Sequence, residues 1–131
     1  MRTTRWTLAV GALLGLGGVI AGASLDHAAA GFVVQQHATD TALRYHQLHA
    51  VVITALGLVL GFCDLSGRDR AHLSSAAMLL IIGTILFCGS LYTLAFTGIA
   101  SIAYGAPVGG LTLMAGWVAL VLAAFRHHSN R

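Results

Sequence analysis

Six side chains around the junction of the first two hydrophobic stretches are of types that move protons, bind ions or hold metals. They are one acid, one base, one tyrosine and three histidines: Asp26, His27, Arg44, Tyr45, His46 and His49. Tyr45 and His49 are four residues apart and His46 and His49 three apart, so each pair shares a helix face. In lipid, such groups mark proton, ion or ligand paths, with Asp26 paired to Arg44 and the histidines titrating or ligating a metal.

A plainer interpretation of the same side chains is structural, and the sequence leaves both open. Arg44 would extend its guanidinium to the membrane surface, Asp26 would neutralise that charge, and His49 would hydrogen-bond a neighbouring helix. A zinc, copper or haem centre needs more ligands at one depth than these histidines supply. No nucleophile stands beside a base and an orienting group. We therefore expect no metal, no cofactor and no catalytic residue.

The elements that position these side chains must lie in a membrane. Of the 131 residues, 57% are hydrophobic and only 8% are charged, whereas soluble domains carry roughly 25% charged residues. Two cysteines are too few for a disulfide scaffold, and a net charge of +3 without a basic stripe argues against nucleic-acid binding. The expected partner is the lipid bilayer, and no nucleic acid.

Four apolar stretches are long enough to cross a hydrocarbon core of about 30 Å, which takes roughly 20 helical residues. They predict spans at about residues 6–25, 41–63, 74–97 and 107–125, so that residues 1–131 form a single all-α membrane domain, a four-helix bundle. The first stretch also imitates a cleavable secretion signal, but its 20 uncharged residues favour a helix. Asp40 is predicted to cap the second helix, and Pro107 to lie in the first turn of the fourth.

The arginines predict which way the helices run. Four spans place six arginines on one side and only Arg44 on the other, and the six are Arg2, Arg5, Arg68, Arg70, Arg126 and Arg131. Because basic residues stay in the cytoplasm, both termini are predicted to be cytoplasmic. The connection 28–39 then forms a surface segment or a flexible loop outside. The first turns of helix two carry the histidines to the outer hydrocarbon edge, with His49 deepest.

Glycines are predicted to pack the helices, because lipid gives helices no hydrophobic reason to associate and close backbone approach must supply contact. The candidates lie on thin helix faces: Gly11, Gly15, Gly18, Gly22, Gly57, Gly61, Gly83 and Gly89. Packing within one bundle is favoured over a seam between two copies. Cys63 and Cys88 fall at different depths, so no disulfide is expected between them.

A set of short motifs extends, in one order, along nearly the whole chain. They are Arg44-Tyr45 with His49-Ala50, Phe87-Cys88-Gly89-Ser90-Leu91-Tyr92, Thr97-Gly98, Pro107-Val108-Gly109-Gly110 and Ala115-Gly116-Trp117. Together they resemble the small YgdD/YwdK-like bacterial membrane protein family, whose relatives include a small mitochondrial transmembrane protein of animals. The resemblance implies four transmembrane helices in the inner membrane and no established activity. His46 stands where such relatives usually have glutamine, which favours His27 and His49 as the pair of interest.

The function expected from these features is non-enzymatic. The chain would act as an accessory or scaffold element that packs against itself or against a larger membrane complex. The alternative is a small transporter or channel that uses the outer cluster of acid, arginine and histidines, and four short helices would need an oligomer to enclose a pore.

Overall fold

The computed structural model describes residues 2–27 and 36–128, and within these ranges the long elements are all α-helices. They are α1 (Arg2–His27), α2 (Gln36–Phe62), α3 (Gly67–Thr97) and α4 (Gly105–His128), with a short 3-10 helix, Ala100–Tyr104, before α4. Each contributes to a stretch long and apolar enough to cross a membrane: Arg5–Leu25, Gln36–Phe62, Gly67–Thr97 and Ala100–Phe125. The predicted all-α, four-helix membrane architecture is confirmed, whereas the orientation of the termini stays a prediction.

The second helix begins one turn earlier than the sequence indicated. Gln36 is its first residue, and the Gln36 side-chain amide donates to Asp40 Oδ1 at 3.2 Å. The prediction that Asp40 caps this helix is wrong, because Asp40 lies inside a helix that begins four residues earlier, where side chains at i and i+4 are neighbours. Residues 36–39 of the predicted connection are therefore helical, and residues 28–35 lie outside the described part of the chain.

Local hydrogen bonds explain where α3 begins and ends. Ser66 accepts a hydrogen bond from the Asp69 backbone N–H at 3.2 Å and donates its hydroxyl to the Asp69 carboxylate at 2.8 Å, which satisfies a donor that the first turn leaves open. At the other end, Gly98 adopts φ 68° and its N–H donates to Leu94 O at 2.8 Å. Glycine reaches this left-handed conformation without steric cost. Pro107 lies in the first turn of α4, as predicted.

The helices pack in the order of the chain, with α2 and α3 in the centre. α1 packs on α2, α4 packs on α3, and α1 also touches α3. Within residues 2–27 and 36–128, no backbone contact joins α4 to α1 or to α2. Three helices share the buried core, whose members are Ile53, Leu56, Ala77, Leu80 and Leu113.

Large apolar side chains cover the outer surface of all four helices. Leu13 on α1, Val51 on α2, Ile85 on α3 and Leu111 on α4 are each more than half exposed. A soluble protein rarely exposes so much contiguous apolar surface, whereas lipid tails solvate it at no cost. The outer surface is therefore that of a protein embedded in a bilayer.

The first hairpin is closed by two reciprocal glycine contacts. A Cβ on Gly11 would lie 2.6 Å from Thr54 N, and a Cβ on Gly57 would lie 2.5 Å from Leu8 Cα. Each glycine leaves a notch in its helix, and a residue of the other helix fills it. Leu8, three residues before Gly11, fills the notch at Gly57, and Thr54, three residues before Gly57, fills the notch at Gly11. The two backbones approach closely because no side chain separates them.

The second hairpin uses the same arrangement. A Cβ on Gly83 would lie 2.8 Å from Leu113 N, and a Cβ on Gly116 would lie 2.7 Å from Leu80 Cδ2. Here too each leucine precedes the glycine of its own helix by three residues. Two further glycines of α4, which the sequence analysis did not single out, contact α3: Gly105 lies against Ser90 and Gly109 against Phe87.

The other predicted glycines have different surroundings. Gly18 and Gly22 face the side chain of Gln47, which is 3.2 Å from a Cβ placed on Gly18. A Cβ on Gly15 or Gly89 would meet nothing within 4 Å, so neither is required by packing inside the described chain. Gly61 is exposed near the end of α2.

Alanine substitutions at Gly11 and Gly15 should separate packing from helix propensity. Both changes favour the helix by up to about 1 kcal/mol, but only Gly11→Ala forces a methyl group into the backbone of α2, which costs about 1–3 kcal/mol or more. Gly11→Ala should therefore unfold at lower SDS fraction or temperature than wild type in detergent micelles, while Gly15→Ala should not. Equal stability of the two variants would contradict the notch packing of the first hairpin.

Cys63 offers a test of the predicted orientation. It is exposed just after α2, at the end of the bundle where α1 and α3 begin, whereas Cys88 is buried. If both termini are cytoplasmic, a membrane-impermeant maleimide should label Cys63 in inverted membrane vesicles and not in spheroplasts. Cys63→Ser serves as the control. Labelling of Cys63 in intact spheroplasts would show that this end of the bundle faces outwards and would contradict the predicted orientation.

Candidate functional site

Most hydroxyl groups on the helices need no partner from another helix. Thr54 donates to Ala50 O at 2.8 Å and Thr84 donates to Leu80 O at 2.7 Å. The same bond to the carbonyl four residues earlier is made by Ser75, Ser90, Thr93, Thr97 and Thr112. These seven side chains satisfy themselves locally, so they are not needed for polar contacts between helices.

The imidazole of His49 joins α2 to α4. Only 2% of the residue is exposed, and both ring nitrogens have partners. Nδ1 lies 2.8 Å from Tyr45 O, and Nε2 accepts from Trp117 Nε1–H at 3.3 Å. A carbonyl only accepts and an indole N–H only donates, so the arrangement fits the tautomer that carries its proton on Nδ1. This side-chain bond links two helices that have no backbone contact.

Aromatic rings surround His49 on two sides. Tyr45 stacks on the imidazole with ring centroids 6.0 Å apart and an interplanar angle of 14°, and it contacts Phe87 of α3 at 4.9 Å. Trp117 meets the imidazole edge-on at 6.2 Å. Such contacts add to the packing energy of the helices that carry the rings. The imidazole is therefore fixed by α2, α3 and α4 together.

His46 forms a second contact, on the side of α2 that faces α1 and α3. Its Nδ1 lies 3.3 Å from the hydroxyl of Tyr92 on α3, and the two rings meet edge-on at 6.0 Å. Its Cε1 lies 3.7 Å from a Cβ placed on Gly17 of α1. The Nε2 atom is buried and has no hydrogen-bond partner of good geometry among the described residues.

Both histidines lie deeper in α2 than the sequence indicated. The helix has 27 residues and His49 is its midpoint, about 20 Å from either end at 1.5 Å per residue. The expectation that the histidines lie in the first turns does not hold, because α2 begins at Gln36. His49 thus lies near the middle of the span rather than at its outer edge.

Of the other predicted members of the cluster, Tyr45 joins these contacts through its carbonyl and its stacking on His49, whereas Arg44 does not. The side chain of Arg44 is exposed, and Tyr45 is partly exposed. The side chains of Asp26 and His27 lie outside the described part of the chain, although their backbone ends α1. The predicted pairing of Asp26 with Arg44 therefore stays a prediction.

Motifs and spacing did not identify Tyr92 and Trp117 as the partners of the histidines. They also did not identify Phe87, which contacts the ring of Tyr45. A signal for two of them was available, because a tyrosine or tryptophan deep in an apolar stretch needs a hydrogen-bond partner when buried. Among the side chains that the structure describes, which exclude those of Asp26, His27, His127 and His128, no three His, Cys, Asp or Glu are grouped so that they could hold a metal ion. The observed chemistry is hydrogen bonding between helices.

Known proteins similar to this chain share its membrane character. The model of a family described as "Protein of unknown function (DUF423)" matches residues 21–110. A UPF0382 membrane protein of Haemophilus influenzae is 36% identical over 90 residues, which cover 69% of this chain and 68% of that protein. The UPF0382 inner membrane protein YgdD of Escherichia coli strain K12 is 32% identical over 87 residues, 66% of this chain and 63% of YgdD. No solved structure matches.

Four apolar helices and an apolar outer surface define a multi-pass membrane protein. The chain belongs to the DUF423 family, and it is a protein of the inner membrane, as the name of its relative YgdD states. The predicted resemblance to the YgdD-like family is confirmed. The matched regions span about two thirds of the relatives' own lengths.

A double-mutant cycle should measure the bond between His49 and Trp117. His49→Phe and Trp117→Phe each remove one partner and keep a ring in place. Interhelical hydrogen bonds in membrane proteins are worth on average about 0.6 kcal/mol and at most about 1.7, and the burial of His49 leads us to expect about 1 kcal/mol of coupling. The measurement is reversible SDS unfolding in micelles.

Trp6→Phe provides the matched control for this cycle, because Trp6 is exposed near the start of α1. Its effect should add to that of His49→Phe without coupling. If the Trp117 cycle is equally additive, the hydrogen bond contributes nothing to the fold.

Proposed function

We propose that the protein is a non-enzymatic accessory or scaffold element, which associates through the membrane-embedded face of α2 with a second copy of itself or with a larger membrane complex. The single observation that carries this proposal is the exposure of Arg44 and Gln47 on one face of α2. Within the described residues, neither side chain has a hydrogen-bond or ion-pair partner. In lipid such groups are costly, and a partner helix would satisfy them.

The depth of Gln47 supports this proposal. Its side chain lies against Gly18 and Gly22, which belong to the apolar stretch Arg5–Leu25 of α1. The amide is therefore level with hydrocarbon rather than with water. An amide without a partner in an apolar medium costs roughly 2 kcal/mol or more, and this cost falls when a second transmembrane helix supplies a donor or acceptor.

The charges along the same face are self-complementary. Asp40, Arg44 and Gln47 are exposed at positions i, i+4 and i+7 of α2, which lie on one side of a helix. If two copies pack these faces about a two-fold axis, Asp40 of each copy can pair with Arg44 of the other. Gln47 then lies further inside, where an amide can donate and accept at once.

The non-enzymatic part of the proposal is supported by the way the buried polar groups are used. His49 gives both ring nitrogens to contacts with Tyr45 and Trp117, which stabilise helix packing. Relatives are named only as membrane proteins. The transporter or channel alternative stays a prediction, and flux of protons or ions in proteoliposomes would be its test.

Gln47→Leu should weaken the association. The substitution removes the exposed amide and leaves a side chain that lipid solvates. Chemical crosslinking in native membranes, followed by purification in mild detergent, should recover a higher-mass species from wild type and at least several-fold less of it from Gln47→Leu. Mass spectrometry of the product then distinguishes a second copy from another protein.

Thr93→Val is the matched control, because Thr93 is also exposed in a span but donates to its own helix at Gly89 O. It should leave the association unchanged. If wild type is recovered only as a monomer without partners, or if Gln47→Leu and Thr93→Val behave alike, the proposed function is wrong.

A further inference from the structure

A cavity of about 550 Å³ opens at the end of the bundle where α1 begins, α2 ends and α3 begins. Three charged side chains line it, Arg5, Asp64 and Arg70, together with the apolar side chains of Leu8, Leu60 and Phe62. Nothing in the interhelical contacts of His46 and His49 involves this region. It is a separate site, at the opposite end of α2 from Gln36.

The fold brings these side chains together in two ways. The close approach of Gly57 to Leu8 holds the first turns of α1 against α2, and Arg5 precedes Leu8 by three residues on the same face. Arg70, in the first turn of α3, donates from its guanidinium to the carbonyl of Leu60 in the last turn of α2. That bond fixes the guanidinium in the cavity wall, and a guanidinium carries five N–H donors, which can contact more than one acceptor.

Arg5 and Asp64 carry opposite charges on the wall of the same cavity. Among the residues that the structure describes, neither Arg5 nor Asp64 has an ion-pair partner. A guanidinium presents a planar fork of N–H donors that matches the oxygens of a phosphate, and two guanidinium groups line this cavity. The carboxylate of Asp64 can accept hydrogen bonds from an ammonium group but not from a phosphate. The cavity is thus complementary to a molecule that carries both a phosphate and an amine.

The position of the cavity indicates that this molecule is a lipid. The apolar stretches of α1 and α2 end at Arg5 and Phe62, so the charged side chains lie where headgroups meet hydrocarbon. Phe62 is 80% exposed and, with Leu8 and Leu60, offers an apolar wall next to the charges. A soluble phosphate ester would use only the polar part of such a site, whereas a phospholipid would use both.

We propose that this cavity binds the headgroup of an amine-bearing glycerophospholipid of the phosphatidylethanolamine class. The phosphate diester lies against Arg5 and Arg70, the ammonium group lies against Asp64, and the upper part of an acyl chain packs along Leu8 and Phe62. Asp64 selects for the amine, since it repels a headgroup that carries only negative charge.

Native mass spectrometry of the delipidated protein in mild detergent tests this site. Wild type should bind one phosphatidylethanolamine more tightly than phosphatidylglycerol of the same acyl chains. Arg5→Gln should weaken binding of both lipids by at least about tenfold, or about 1.4 kcal/mol, because it removes a charge-assisted hydrogen bond to the phosphate. Asp64→Asn should weaken the binding of phosphatidylethanolamine only, and so remove the preference for it over phosphatidylglycerol. Arg68→Gln, on an exposed neighbour outside the cavity lining, is the matched control and should bind both lipids as wild type does.

Two results would overturn the proposal. The first is that wild type, Arg5→Gln and Asp64→Asn all bind the two lipids equally well. Each variant must have the same melting temperature as wild type, so that misfolding is not the cause. The other is full competition by soluble glycerophosphoethanolamine at the same concentration as the lipid, which would assign the site to a free phosphate ester.

Discussion

In a bilayer, helices gain nothing from excluding water, and this constraint governs how the four helices associate. The energy must come from close backbone packing and from polar groups that cannot be left without partners. Reciprocal notches at Gly11 and Gly57, and again at Gly83 and Gly116, supply the packing. The imidazole of His49 supplies a polar link between α2 and α4, whose backbones do not approach each other. Apolar side chains are left to face lipid, where they cost nothing.

The fold was predictable as far as it depends on composition and length. Four apolar stretches, each near the thickness of a bilayer, determine four helices whatever their mutual packing. The start of α2 was not predictable in the same way. The bond between Gln36 and Asp40 can be recognised only once residues 36–40 are known to be helical. Glycine spacing misled in a similar way. The pattern of glycines four apart drew attention to Gly15, which faces open space, while Gly116 has no such partner in sequence and is closely packed.

The polar contacts were predictable in type but not in pairing. His49 was recognisable as a buried polar group that needs a neighbour, but the identity of that neighbour depends on how α2 and α4 are aligned across a third helix. Neither periodicity nor propensity fixes that alignment. Trp117 lies 68 residues away from His49 in sequence. The cavity near Arg5 was missed for the same reason, since its charges come from three separate helix ends.

The division of the chain into two hairpins gives its polar contacts a role in assembly. Each hairpin closes its own glycine notches, so each can enter the bilayer as a compact pair. The first pair carries His46 and His49 into lipid with the bond from His49 to Tyr45 O already made inside α2. The remaining partners, Tyr92 and Trp117, arrive only with the second pair. Because the amino-terminal half is translated first, its imidazoles lack these partners until the second pair enters the bilayer. A product truncated after α2 would leave His49 Nε2 without the indole donor of Trp117.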